Sequence, residues 1–381
     1  MIYLDNSATT RVLPEAADAA YRAMTEQFYN PASAYKAAVA TERAVNAARS
    51  RLADALGCGE SEIIYTSGGT ESNNMAIFGT LKAVRGKRRV ITCLSEHPSV
   101  FKTVRSLKDD PDTDVVFIGC NRDGTASLTE LEAALTADTA LVSLMHVNNE
   151  TGACNDLASA QSLIRRLSPS AVFHVDGVQA FCKTPFGSVP CDLYSISAHK
   201  VHAPKGVGAL YVKSGVKFAG GQIGGGQENK MRSGTTNVPG ILGLDAALTQ
   251  YRQHQQAWVS HLRECKRRLA SNLFAIPDAR VNGPSVEGGA PHVLNVSFPG
   301  VRGEVLLNAM SEREIYIATG SACSAHQKGK NRVLEAMGVT AARAEGAIRF
   351  SLCPFNTLEE MDAAATAIAE QVAFLRRFQR R

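Results

Sequence analysis

Several signatures are missing from this chain, and each absence narrows what it can be. Its nine cysteines are odd in number, form no CxxC pair and lie scattered between Cys58 and Cys353. That argues against a disulfide framework and a zinc site, and for a reducing compartment. No apolar run approaches the ~20 residues needed to cross a bilayer. The opening "MIYLDNSATT" has no basic stretch followed by an apolar one, so no signal peptide is expected and a cytoplasmic protein is. The basic excess is only +5, too small to indicate direct nucleic-acid binding. There is no Walker loop, no GxGxxG, no repeat and no low-complexity tract. What is left, 45% hydrophobic and 20% charged over 381 residues, suits a soluble globular protein of one large domain and one smaller one.

What is present is an alternation of two kinds of segment. Residues 34–56 are rich in Ala, Arg and Leu and stop at Gly57, the pattern of a helix with its terminator. Short apolar runs follow: "EIIYTS" (62–67), "RVITCL" (89–94), "DVVFIG" (114–119), "TALVSLM" (139–145), "AVFHVD" (171–176) and "DLYSIS" (192–197). Helical stretches at about 70–84, 98–107, 129–135 and 156–167 separate several of them. Strands apolar on both faces, interleaved with helices, predict an α/β fold with a mainly parallel sheet. A proline-poor helical stretch at about 238–275 leads to "HVLNVSF" (292–298), a helix from about 303, "AIRFSL" (347–352) and a helix from about 357. This predicts a large domain over 14–255 and a smaller α+β domain from 1–13 and 256–381.

In open α/β sheets ligands gather at the carboxyl ends of strands. "GGTES" puts Gly69 and Thr70 at a strand-to-helix turn, a cradle for an anion or a plain capped turn. His97 stands at a similar junction in "SEHPS". "HVNNETG" carries Asn148 in a polar turn. Asp176 ends a β-branched run, so it is expected to be buried and to need a partner. Gln179 follows on the same turn. "SISAHKVHAPKG" places Ser197, His199 and Lys200 together. A lysine beside cationic imidazoles loses its proton more readily, as a Schiff-base lysine must. A phosphate cradle, an imidazole, an acid for a pyridine nitrogen and an aldehyde-trapping lysine are the parts that hold pyridoxal 5′-phosphate. Separately, "GSACSAH" surrounds Cys323 with small residues. The thiol is either idle in a loop or a nucleophile on a tether.

The motifs "YLDNSATT", "TSGGTESNN", "EHPSV", "VNNETG", "HVDGVQ", "SISAHKVHAPKGVG", "GGGQE", "RSGTTN", "GSACS" and "IRFSL" together resemble the cysteine desulfurases, a class-V aminotransferase group within the fold-type I pyridoxal phosphate enzymes. The resemblance implies a fold-type I large domain plus a smaller one. It implies that Lys200 takes the cofactor's aldehyde, that Asp176 meets the ring nitrogen and Gln179 the ring hydroxyl, and that His97 covers the ring and moves protons. Gly69, Thr70, Ser197 and His199 would hold the phosphate, and Thr235 would complete that site from the other subunit of a homodimer. Asn148, also expected at the cofactor, would bind the substrate carboxylate with Arg349. Cys323 would take sulfur from L-cysteine as a persulfide, releasing alanine. A sulfur-acceptor protein, either an iron–sulfur scaffold or a tRNA-thiolation enzyme, would follow as partner. No metal, membrane or direct nucleic-acid contact is implied. A selenocysteine lyase or another class-V aminotransferase is the alternative. Cys323 resembles the mobile-loop subgroup, and Lys328, Lys330 and Arg332 suggest an exposed basic tip after it. Three departures stand out: Tyr35 where the family has His, Gly177 where Ala is commoner, and Cys353 where Gly is usual. Gly177 is expected to be a small steric change.

Overall fold

The computed structural model describes residues 1–86, 88–320 and 331–378. Among them the strands are β1 (Ile2–Tyr3), β2 (Ile63–Thr66), β3 (Arg88–Cys93), β4 (Thr113–Ile118), β5 (Thr139–Met145), β6 (Val172–Asp176), β7 (Leu193–Ser197), β8 (Gly208–Val212), β9 (Arg280–Val281), β10 (Val293–Ser297), β11 (Ile315–Tyr316) and β12 (Ala347–Ser351). The helices are α1 (Pro14–Thr25), α2 (Lys36–Leu56), α3 (Gly69–Ala83), α4 (Pro98–Ser106), α5 (Leu128–Ala134), α6 (Leu157–Leu167), α7 (Val238–Phe274), α8 (Gly303–Ser311), α9 (Arg332–Ala336), α10 (Ala341–Glu345) and α11 (Leu358–Arg376). Local chemistry explains many of the boundaries. Gly57 ends α2 in the left-handed conformation (φ 64°). Asp156 accepts from Ser159 N–H to start α6, and Thr357 with Glu360 forms a capping box at α11. No helix of the described residues is long and apolar enough to cross a membrane.

Seven strands form the main sheet, in the order β2-β8-β7-β6-β5-β3-β4. The five from β7 to β4 are parallel, and their central members β5, β6 and β7 are buried at every position. That burial is what continuous apolar runs in a helix-covered sheet require. The prediction of a mainly parallel α/β sheet therefore holds, with one refinement. β8, the run "GALYV", enters antiparallel to both β7 and β2. Two reversals restore direction, so β2 runs parallel to β7. The carboxyl ends of β2, β7, β6, β5 and β3 thus share one rim, and the start of β8 joins them there.

A small sheet, β12-β10-β9, is antiparallel. It packs its own core with α8 and α11 around Leu294, Phe350, Leu306 and Ile368. Helix α7, 37 residues long, serves both cores. Ile241, Leu244 and Tyr251 belong to the large-sheet core, and Leu262, Leu269 and Leu273 to the small one. The N-terminal segment crosses between them: Asp5 bridges to Ser351, and Ser7 N–H donates to Ser351 Oγ at 2.8 Å.

Candidate active site

The shared rim encloses a cavity of about 470 Å³, a size typical of small-molecule sites. Gly69, Thr70, His97, Asp176, Gln179, Ser197, His199, Lys200 and Arg349 all line it. Residues from five different segments of the chain therefore meet in one place. Cys323 lies outside the described residues, as do Lys328 and Lys330.

At one end the wall is mostly small residues and backbone. Gly68 adopts φ 146°, a conformation that favours glycine. A Cβ on Gly69 would lie 2.6 Å from Val178 Cγ2. Helix α3 starts there with no side-chain cap, which leaves first-turn N–H groups and the helix dipole for an anion. Ser197, His199, Lys205 and Gly206 complete this end. His199 Nδ1 is 3.1 Å from Thr9 Oγ1. Burial, then the charge of Lys200, lowers its pKa to about 4. Burial also lowers His202 to about 4, and its Nδ1 meets Arg11 O at 2.8 Å. Both imidazoles are therefore neutral near pH 7, which corrects the expectation of cationic histidines flanking Lys200. Lys183 is buried nearby and has no hydrogen-bond partner at Nζ among the described residues. Its pKa falls to about 7, through burial first and with a contribution from Lys200.

At the other end the wall is buried polar side chains. Lys200 Nζ donates to Ser7 O at 2.5 Å and Ala8 O at 2.7 Å. Gln179 Nε2 donates to Ser7 O at 3.0 Å, and its Oε1 meets His292 Nε2 at 3.3 Å. Burial pushes the Asp176 carboxyl upward, while Val178 N–H, Asn73 and Lys200 oppose that shift. His97 caps α4, accepting at Nδ1 from Ser99 N–H at 3.2 Å. Burial, then Lys200 and Arg332, lowers its pKa to about 4.

Arg349 is 1% exposed. Its Nη2 pairs with Asp5 Oδ1 at 2.5 Å and its Nη1 donates to Asn149 O at 3.2 Å, leaving Nε without a partner among the described residues. The cavity wall here is Asn149, not Asn148. Asn148 turns inward: its Nδ2 donates to Ser95 O at 3.1 Å, and its Oδ1 accepts from Glu150 and Thr151 N–H at 2.9 and 3.0 Å. It builds the loop that presents its neighbour. Thr235 is exposed and is not on this cavity.

The three departures resolve differently. Tyr35 is exposed, its ring edge-on to Tyr29 at 6.0 Å. Cys353 does not line the cavity, and burial raises its thiol pKa. Gly177 is not a small change. An added Cβ would lie 2.0 Å from Tyr194 Cζ, because the buried Tyr194 ring fills that space and holds His146 Nδ1 at 3.1 Å. Arg332, expected on an exposed tip, instead lies over the Phe101 ring at 3.9 Å and donates to Glu96 O.

The sequence reading missed Asn73, Ser99, Ser7, Ala8 and Asn149. Asn73 carried a weak signal, being a poor helix former in a helix interior one turn after Thr70. Ser7 and Ala8 act through backbone carbonyls, which leave no side-chain trace.

Known proteins resemble this chain over nearly its full length. Residues 2–364 match the family described as aminotransferase class-V. A cysteine desulfurase of Trichormus azollae is 40% identical over 379 residues, covering 99% of this chain and 94% of that protein. A solved NifS-like protein superposes with a TM-score of 0.91 at 36% identity, covering 98% of this chain and 99% of that one. SspA, solved in complex with cysteine, gives 0.81 at 30% identity over 94% of this chain and 100% of that one.

Proposed function

The chain belongs to the class-V aminotransferase family and is a cysteine desulfurase, and on that premise we propose how its own residues divide the work. The family generally uses pyridoxal 5′-phosphate, and the residues present fit that group. An uncapped helix start behind a tight glycine turn suits the phosphate. A buried carboxylate suits the pyridine nitrogen, and a lysine within reach of the same cavity suits the aldehyde. When bound, the cofactor supplies an aldehyde and an electron sink for charge at the substrate Cα.

Gly69, Thr70, Ser197 and His199 would hold the phosphate, Asp176 would meet the ring nitrogen and Gln179 the ring hydroxyl, and His97 would cover the ring. Lys200 is the amine that would hold the aldehyde, and its Nζ would accept the substrate's Cα proton. Its two carbonyl contacts with Ser7 and Ala8 orient Nζ. Arg349 grips the substrate carboxylate through guanidinium nitrogen, with Asp5 neutralising it otherwise and Asn149 beside it. The substrate is L-cysteine, a reading supported by the cysteine bound to SspA. Cys323, as thiolate, attacks the substrate sulfur. A bond forms between the two sulfurs while the substrate Cβ–S bond breaks. Its electron pair stays on the carbon fragment, which is protonated and leaves as alanine. Cys323 keeps the extra sulfur as a persulfide for an acceptor protein in iron–sulfur assembly or tRNA thiolation. In a homodimer, Thr235, which is exposed here, would complete the phosphate site of the other subunit. A cytoplasmic, reducing location suits a reaction that needs a free thiol.

The observation that carries this reading is the meeting of Lys200, Asp176 and His97 in one cavity. Purified protein incubated with pyridoxal phosphate and L-cysteine should be yellow, form alanine and, with reductant, release sulfide. Cys323→Ala should keep the cofactor absorbance and lose the persulfide. Bound cofactor without alanine, or full persulfide in the variant, would sink it.

A further inference from the structure

Asn73 lies on α3 and is fully buried against the cavity. Its Nδ2 is 2.8 Å from Asp176 Oδ2 and 2.8 Å from Ser99 Oγ. An amide nitrogen carries two hydrogens and cannot accept, so it donates in both directions. The reverse orientation would set its carbonyl oxygen against a carboxylate. We propose that Asn73 is a positioning residue that joins Asp176 to His97 and fixes His97 as the Nε2–H tautomer through Ser99.

Two chains of consequence run from that amide. On one side, Asp176 Oδ2 accepts from Asn73 and Oδ1 accepts from Val178 N–H at 3.1 Å. A proton on either oxygen would compete with an N–H donor, so both contacts favour the ionised carboxylate that burial disfavours. On the other side, Ser99 Oγ already receives a hydrogen from Asn73. Its own hydrogen is free for His97 Nδ1, 2.8 Å away. Ser99 N–H reaches the same nitrogen at 3.2 Å. Two donors converge on Nδ1, so Nδ1 is the lone-pair nitrogen and the ring hydrogen sits on Nε2.

A neutral Nε2–H imidazole offers an N–H to whatever it meets there. It enters as a donor, and the base at the start of the reaction is Lys200. The assignment of these groups to the cofactor ring rests on the function proposed above; the tautomer does not.

The test uses full-length protein with 15N-labelled histidine, with and without pyridoxal phosphate, at pH 7.5. The His97 ring signals are identified by their loss in His97→Gln. The long-range proton–nitrogen pattern should be that of the Nε2–H tautomer in the wild type. In Asn73→Ala a second, Nδ1–H population should appear, and kcat should fall about tenfold while KM for L-cysteine changes less than about twofold. Ser99→Thr, which keeps the hydroxyl, should preserve the tautomer. An Nδ1–H ring in the wild type overturns the proposal even if Asn73→Ala does not fold. An unchanged tautomer in a folded Asn73→Ala overturns it too, whatever kcat does. Failure to form alanine with the predicted tautomer intact would instead overturn the functional reading alone.

Discussion

The two ends of the cavity are built on opposite plans. At the Gly68–Thr70 end, small residues and an uncapped helix start face the space, and Thr70 and Lys205 reach solvent. At the Asp176 end, buried side chains are tied to one another by hydrogen bonds. Backbone donors survive substitution of the side chain but not the loss of the room in front of them. Side-chain networks survive small shifts but not a change in which atoms donate and accept. The first end should therefore be sensitive to volume and the second to chemistry.

The sharpest way to break this contrast is Asp176→Asn, which keeps volume and changes chemistry. An amide at 176 faces Asn73 and Val178 with one donor too many and removes the counter-charge. Alanine formation should fall on the order of a thousandfold. A loss of less than tenfold would mean that volume, not hydrogen-bond polarity, governs that end. Gly177→Ala adds volume directly behind Asp176, where a Cβ would lie 2.0 Å from Tyr194. It should cost about 1–3 kcal/mol of stability in urea unfolding, and Tyr194→Leu in the same chain should recover most of it. No recovery would mean that the strain lies elsewhere. Gly69→Ala is the mildest. Its Cβ meets one methyl of Val178 at 2.6 Å, so pyridoxal phosphate affinity by equilibrium dialysis should drop roughly tenfold. Val178→Ala should restore it. Wild-type affinity in the single variant would show that the phosphate end has slack.

The strand-and-helix order was readable because the large sheet is buried on both faces. Continuous apolar runs such as 139–145 have few alternatives once helices flank them. The antiparallel entry of β8 was not readable, since "GALYV" would look the same in either direction. The cavity residues that hold their own charge or nucleophile, such as Lys200 and Asp176, were visible as residue types at strand ends. Those acting through partners were not. Asn148 and Asn149 are adjacent and identical, and only the fold decides which turns inward. Gly177 looks trivial until Tyr194 is seen filling the space beside it. His199 and His202 looked cationic because sequence shows adjacency but not burial, which is what neutralises them.

The strap from Asp5 to Ala8 carries a consequence for the order of synthesis. Its carbonyls receive Lys200, yet the strap is itself fixed by Arg349 and Ser351, some 344 positions later. A segment made 344 positions before its partners stays idle until they are made. The large sheet can gather beforehand, but the pocket closes only when the last strand of the small sheet arrives. Contacts of such long sequence separation form late and slowly. The large sheet should therefore gather before the pocket is complete, and competence to retain the cofactor should lag behind formation of that sheet.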